Sequence, residues 1–384
     1  MIGSWQPSPG SSEPDRDEQG RDEPGRDEPG RDEPGRDEQG RDEQGRDEQG
    51  VTRLLADLVT EDADLTSAPP GHPQLRAAIL VAARLRAADW PLPDPAELPP
   101  AAAPYLRQVC ELSELIPTLL AHSARSGQTT VVDGWNATDV VAHLVAVDAL
   151  AAESLGLPTP EETGVGSDVP TRTASVQRAF EGAPPAEALR VWRAQAAALA
   201  RHTRAVGVAG MDREVSYLGI AMSAGDVVLD RAFETWIHGD DLRVGLGLAP
   251  RDPAVGDVHR MSDLGARMLR HTWSLGDDEY AAAEVLLELT GPGGGTWRVG
   301  SDGAAQLPGA ALLPGAALPE VAAAGVGGLG PRETGIGARV VLEAIEFCRL
   351  AGGRALPDRV PHTVHGNRRL GEHLLAAAAL LARP

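Results

Sequence analysis

No lysine occurs anywhere in the 384 residues; all 35 basic side chains are arginine, set against 56 acidic ones, and the net charge is −21. Nonspecific binding to nucleic acid depends on basic groups neutralising phosphates, and no Lys/Arg cluster or aromatic-studded basic stripe supplies them. Nucleic acid is therefore excluded as a partner. Cysteine is nearly as scarce. Cys110 and Cys348 are far apart and form no CxxC, so neither a disulfide framework nor a cysteine zinc knuckle is supported, and both read as buried thiols on helices. Long apolar runs are missing too. The C-terminal LLAAAALLA falls far short of a bilayer span, and MIGSWQPSPG has no charged n-region and no apolar h-region. Expected, then, is a cytoplasmic chain with no membrane partner. There is no P-loop and no GxSxG; Gly325, Gly327 and Gly330 satisfy GxGxxG, but Pro331 follows and no clear strand precedes them.

What is abundant is Arg-Asp-Glu-(Gln or Pro)-Gly, repeated seven times from Arg16 to Gly50 without one apolar residue. Such a tract cannot bury enough surface to offset its ordering entropy, so residues 1–50 are expected to be a disordered acidic tail. Residues 51–104 read as a short helical accessory segment followed by a proline-rich linker, WPLPDPAELPPAAAP.

Helical periodicity becomes regular from Tyr105. Val109, Leu112, Ile116 and Leu119 share a face, with a kink or break expected at Pro117. In WNATDVVAHLVAVDAL, Asn136 is a good N-cap, Asp139 completes a capping box and Trp135 can staple onto Val140. Val140, His143, Leu144 and Val147 then face inward together. A third helix is expected from about Ala186 to Ala205, with His202 near its end, and a fourth from Ser223, ending at Gly245, Gly247 and Pro250. Residues 105–250 thus read as a four-helix bundle. Residues 251–384 read as a smaller α+β domain: a helix near Met261–His271, a hairpin through EVLLELTGPGGGTWRV, a helix over Gly337–Leu350, an extended piece holding His362 and His365 in a surface loop, and a last helix over Leu370–Ala382.

FETWIHGDD places Glu234 and His238 four residues apart on the fourth helix, so both side chains can reach one point. An exposed ion pair is the plainest reading of that spacing. A second inward histidine, His143, makes a three-ligand set possible. Zinc accepts imidazole nitrogen and carboxylate oxygen, and three protein ligands leave the fourth position open; ferrous iron or nickel would accept the same set. Asp241 is placed either to orient a ligand from behind or to sit as an exposed charge near the helix end.

GWNATDVVAHL and RAFETWIHGDDL resemble the two signature segments of the mycothiol-dependent maleylpyruvate isomerase family, among the DinB-like metal-binding bundles. The matched residues are Gly134, Trp135, Asp139, His143 and Leu144 in the first segment, and Glu234, His238 and Asp241 in the second. The resemblance implies that His143, Glu234 and His238 hold a divalent metal, usually Zn2+, and that residues 251–384 form a sterol-carrier-like domain. It also implies a small-molecule thiol, mycothiol, as cofactor, activated for cis–trans isomerisation of maleylpyruvate type or for thiol transfer to an electrophilic or unsaturated acid. The lysine-free, Ala/Gly/Pro-rich composition is that of a GC-rich, actinobacterial coding bias and fits mycothiol. For a carboxylate-bearing substrate the C-terminal domain would supply a cation, Arg354 in LAGGR or else Arg368 or Arg369 in HGNRRL; each also reads as a solvated surface arginine. The alternative is a non-catalytic, metal-binding regulatory or interaction protein on the same bundle, its N-terminal extension engaging a protein partner. A metal that only locks the second and fourth helices together is a third possibility.

Overall fold

Residues 92–126, 130–132, 134–183, 185–273, 280, 282–307 and 336–382 are described by the computed structural model. The chain divides into two units, Met1–Asp64 and Leu65–Pro384, and all the described residues belong to the second. The pentapeptide tract, residues 51–91 and the GVGGLG segment lie outside them.

Helix α1 spans Ala103–Ser126 and does not end at Pro117, contrary to expectation. Leu115, Ile116, Leu119 and Leu120 are buried on both sides of that position. Expelling them would cost more than the single backbone hydrogen bond that proline removes. A short pairing of β1 (Thr130–Val132) with β2 (Trp135–Asn136) then delivers the chain to α2, Ala137–Ser154. Its capping box is formed as the sequence indicates: the Asn136 side chain accepts from the backbone N–H groups of Thr138 and Asp139, and the Asp139 carboxylate accepts from the Asn136 N–H.

The sequence reading missed α3, Val169–Ala179, whose start is marked by Asp168 accepting from the Thr171 N–H and by proline in the first turn. After α4 (Pro185–Met211), strands β3 (Glu214–Tyr217) and β4 (Ile220–Ser223) form a hairpin closed by Leu218 and Gly219, both at positive φ. That two-residue turn suits the right-handed twist of paired strands. Ser223 caps α5, Ala224–Gly245, by accepting from the Asp226 N–H. Helices α1 and α2 each pack against both α4 and α5, and α3 covers α2.

Helix α6 begins at Val255 and ends at Met268, earlier at both ends than expected. A five-stranded sheet of order β7-β6-β5-β8-β9 follows, built from β5 (Glu284–Thr290), β6 (Gly295–Gly300), β7 (Gly303–Gln306), β8 (Ile336–Glu343) and β9 (His362–Gly366). The hairpin β5–β6 is as read from sequence. The expected helix over Gly337–Leu350 is instead β8 followed by α7, Ala344–Ala351. Ala338, Val340 and Leu342 are buried in alternation while β8 runs parallel to β5 and pairs Val340 with Leu287. That partner, roughly fifty residues away, overrides local helical propensity. His362 and His365 lie on the edge strand β9 and not in a loop, and α8 closes the chain from Arg368 to Ala379. The described fold is mostly helical, with a smaller sheet region at its C-terminal end, and among the described residues no helix is long and apolar enough to cross a membrane.

Candidate metal centre

His143 from the middle of α2 and Glu234 and His238 from α5 meet where those two helices pack. One ligand atom from each lies within 4.8 Å of the others. Glu234 Oε2 stands 3.7 Å from His143 Nε2 and 3.5 Å from His238 Nε2. Both gaps are too long for good hydrogen bonds. They are close to the roughly 3.4 Å that separates two donor atoms each about 2.05 Å from a tetrahedral ion. Three donors spaced so could hold a divalent metal. The outward ring nitrogens are engaged elsewhere: His143 Nδ1 lies 3.0 Å from Thr173 Oγ1 on α3, and His238 Nδ1 lies 3.0 Å from Asp241 Oδ2. With Nδ1 protonated and donating to an oxygen, each ring turns its Nε2 lone pair toward Glu234.

The two imidazoles feel opposite fields. Burial pushes His143 down to about 4, leaving it neutral and able to donate its lone pair. Burial acts on His238 in the same direction, but the Asp241 and Glu234 carboxylates beside it outweigh it and raise this histidine above its ordinary value. Asp241 is held below the usual carboxylate range: burial opposes ionisation, while Arg354 and His238 more than compensate. Arg354, just past α7, grips Asp241 through Nε at 2.8 Å and Nη2 at 2.5 Å. Asp241 therefore stands behind His238 and is not an exposed helix-end charge.

Several site features escaped the sequence reading. Trp135 places its ring over both histidines, with centroids 5.3 Å from His143 and 6.5 Å from His238. Thr173 went unnoticed with its helix. One turn before Glu234 on α5 lies a fully buried Arg231, its Nε 3.3 Å from Asp148 Oδ1 and its Nη1 donating to the Tyr217 hydroxyl at 3.2 Å. Tyr105 donates to the other Asp148 oxygen at 2.7 Å. Burial still pushes Asp148 up to about 6, against the pull of Arg231. The regular apolar periodicity of these helices hid the polar residues set within it.

Glu234 and His238 also form part of the wall of a cavity of about 320 Å³ between α5, the β3–β4 hairpin, α6 and the residues after α7 and α8. Arg354 is on that wall. Arg368 is not: it pairs with Glu372 in solvent, and Arg369 is exposed as well. His202 is remote on α4, its affinity for protons lowered by partial burial and by Arg213. Cys348 is buried beside Ser262 with its thiol pushed up to about 12, Cys110 is half-buried and also raised by burial, and neither lines the cavity.

Residues 111–243 match the family model described as the mycothiol maleylpyruvate isomerase N-terminal domain. Two uncharacterized proteins of Mycobacterium tuberculosis, from different strains, are each 28% identical over 215 residues, covering 53% of this chain and 79% of theirs. The crystal structure of a mycothiol-dependent maleylpyruvate isomerase aligns at 17% identity over 79% of this chain and 96% of its own, with a TM-score of 0.36, too low to carry an argument.

Proposed function

We propose, from the match of residues 111–243 to the mycothiol maleylpyruvate isomerase N-terminal domain family, that the chain is a metal-dependent enzyme using a low-molecular-weight thiol for isomerisation or thiol transfer. On this reading α1, α2, α4 and α5 form a DinB-like four-helix bundle, and the sheet region is its sterol-carrier-like companion. His143, Glu234 and His238 hold a divalent ion, zinc by donor type. The observation that carries the reading is the convergence of three donor atoms beside a cavity that reaches two of them.

When bound, the ion supplies a lowered thiol pKa, and the thiol, mycothiol, supplies a nucleophile toward a double bond or other electrophilic centre. Everything else falls to the protein. Burial keeps His143 unprotonated near neutral pH. Asp241, clamped by Arg354, fixes the tautomer and rotation of His238. Cys110 and Cys348, with thiols raised and away from the cavity, are poor nucleophiles, which supports a thiol brought from outside.

Elemental analysis of the full chain, purified without histidine tags, tests the ligand set. About one zinc per chain is expected in the wild type, lost in His143→Ala and in His238→Ala, with a thiol-dependent change in the visible spectrum of the cobalt-substituted protein. Unchanged metal content in both variants would sink the assignment, and a wild type that takes no metal when zinc is offered would leave the non-catalytic, interaction-protein reading in its place.

A further inference from the structure

The cavity beside Glu234 is large enough for a small molecule, and its walls state what kind. Leu218 and Met222 of the hairpin, Phe233 and Ile237 of α5, and Leu264 and Met268 of α6 make it predominantly apolar. Its ionisable groups do not suit an anion. Asp230 and Glu234 are carboxylates, Asp230 Oδ2 lying 3.7 Å from Arg231 Nη1, and His238 is engaged with Asp241. Arg354, the only arginine on the wall among the described residues, directs Nε and Nη2 to Asp241 and Nη1 to the Gly352 carbonyl at 3.1 Å. His271 accepts from the Arg270 guanidinium at 2.9 Å, so its lone pair is engaged, and burial together with Arg270 lowers its affinity for protons. With a divalent ion and a thiolate in place, Glu234 and the thiolate would balance the ion, while Asp230 and Arg354 are paired with Arg231 and Asp241, so that among the described residues no uncommitted cation faces the cavity.

We infer that the electrophile accepted by this site is uncharged and carries an apolar body, and is not a dicarboxylate of maleylpyruvate type. The inference rests on the thiol-dependent reading for the word electrophile, but the cavity's preference is a property of its walls alone. A dianion would have to leave water for apolar side chains without a cation released to it, whereas a neutral molecule gains from burial against the same surface.

A matched pair of unreactive probes separates the possibilities: diethyl phthalate and phthalate share one skeleton and differ in two negative charges. Ligand-observed NMR titration of the full zinc-loaded chain, saturated with 2-mercaptoethanol to fill the ion's open position, is expected to give the ester an affinity at least about ten-fold tighter than the dianion. Met268→Arg, checked for folding by circular dichroism, is expected to narrow or reverse that ratio by adding a cation to the wall. Phthalate binding as tightly as the ester, or no ester binding up to its solubility limit, would overturn the inference. The same titration on His143→Ala distinguishes the two claims. Metal lost with ester preference kept is expected if the walls alone choose the ligand; wild type and variant both free of metal but ester-selective would sink the enzyme reading and leave this one standing.

Discussion

The two histidines of the centre are the same residue type a few ångströms apart, with ring centroids separated by 4.7 Å, yet they should titrate in opposite directions. The sign follows from linkage. His143 has a folded value of about 4 against an ordinary 6.5, so its contribution to stability is full above pH 6.5 and is lost as pH falls toward 4. The loss in the metal-free protein is on the order of 3 kcal/mol, since the side chain is fully buried. His238 is raised, so its contribution is present below its ordinary value and is lost as pH rises through its folded value. The two windows adjoin, and these residues together favour a stability maximum near the ordinary histidine value. NMR titration of the imidazoles in metal-free protein, with urea unfolding on both sides of that pH, checks this; two rings titrating together at the unperturbed value would refute it. Sequence spacing offers Asp241 to His238 alone, but neither its contact with that ring nor the depth of α2, from which the difference comes, can be read from it.

At the level of elements, what could be read was what local chemistry dictates. The capping box at Asn136 and the Ser223 cap are interactions among residues within one turn, so α2 and α5, and with them the spacing of His143, Glu234 and His238, were legible. What was not legible depended on distant partners: β8 is a strand because β5 pairs with it, and α1 continues past Pro117 because its neighbours are buried. Helix α3 did carry a signal, Asp168 ahead of a first-turn proline, but its apolar stripe is short. It matters because Thr173 is the oxygen beside His143 Nδ1. Thr173→Val keeps the shape and removes the hydroxyl, and it is expected to weaken metal affinity by about 10- to 100-fold while leaving the helical circular dichroism unchanged. Thr173→Ser should restore most of that affinity. Competition with a chromophoric chelator measures both, and an unaffected valine variant would show that the threonine does not orient the ring.

Over the whole molecule, an ion pair at the centre, Arg354 on Asp241, ties the C-terminal region to the helical region between residues 113 positions apart. Sequence spacing could place Asp241 on the face of His238, and it could offer Arg354 only as a cation for some substrate. The structure gives that guanidinium a nearer task, holding the carboxylate that holds His238. The acid is nearly buried and the arginine about a quarter exposed, so the pair is shielded from solvent on one side. A double-mutant cycle of Arg354→Met and Asp241→Asn is therefore expected to show coupling of about 1–3 kcal/mol in urea unfolding, because either single change strands the other partner's charge. The same cycle read as metal affinity should show each single variant weakened, and the double variant no weaker than Asp241→Asn alone, since Arg354 acts on the ion only through Asp241. Additive losses in both readouts would mean that the two regions stabilise the centre independently, and that Arg354 faces the cavity for a purpose of its own.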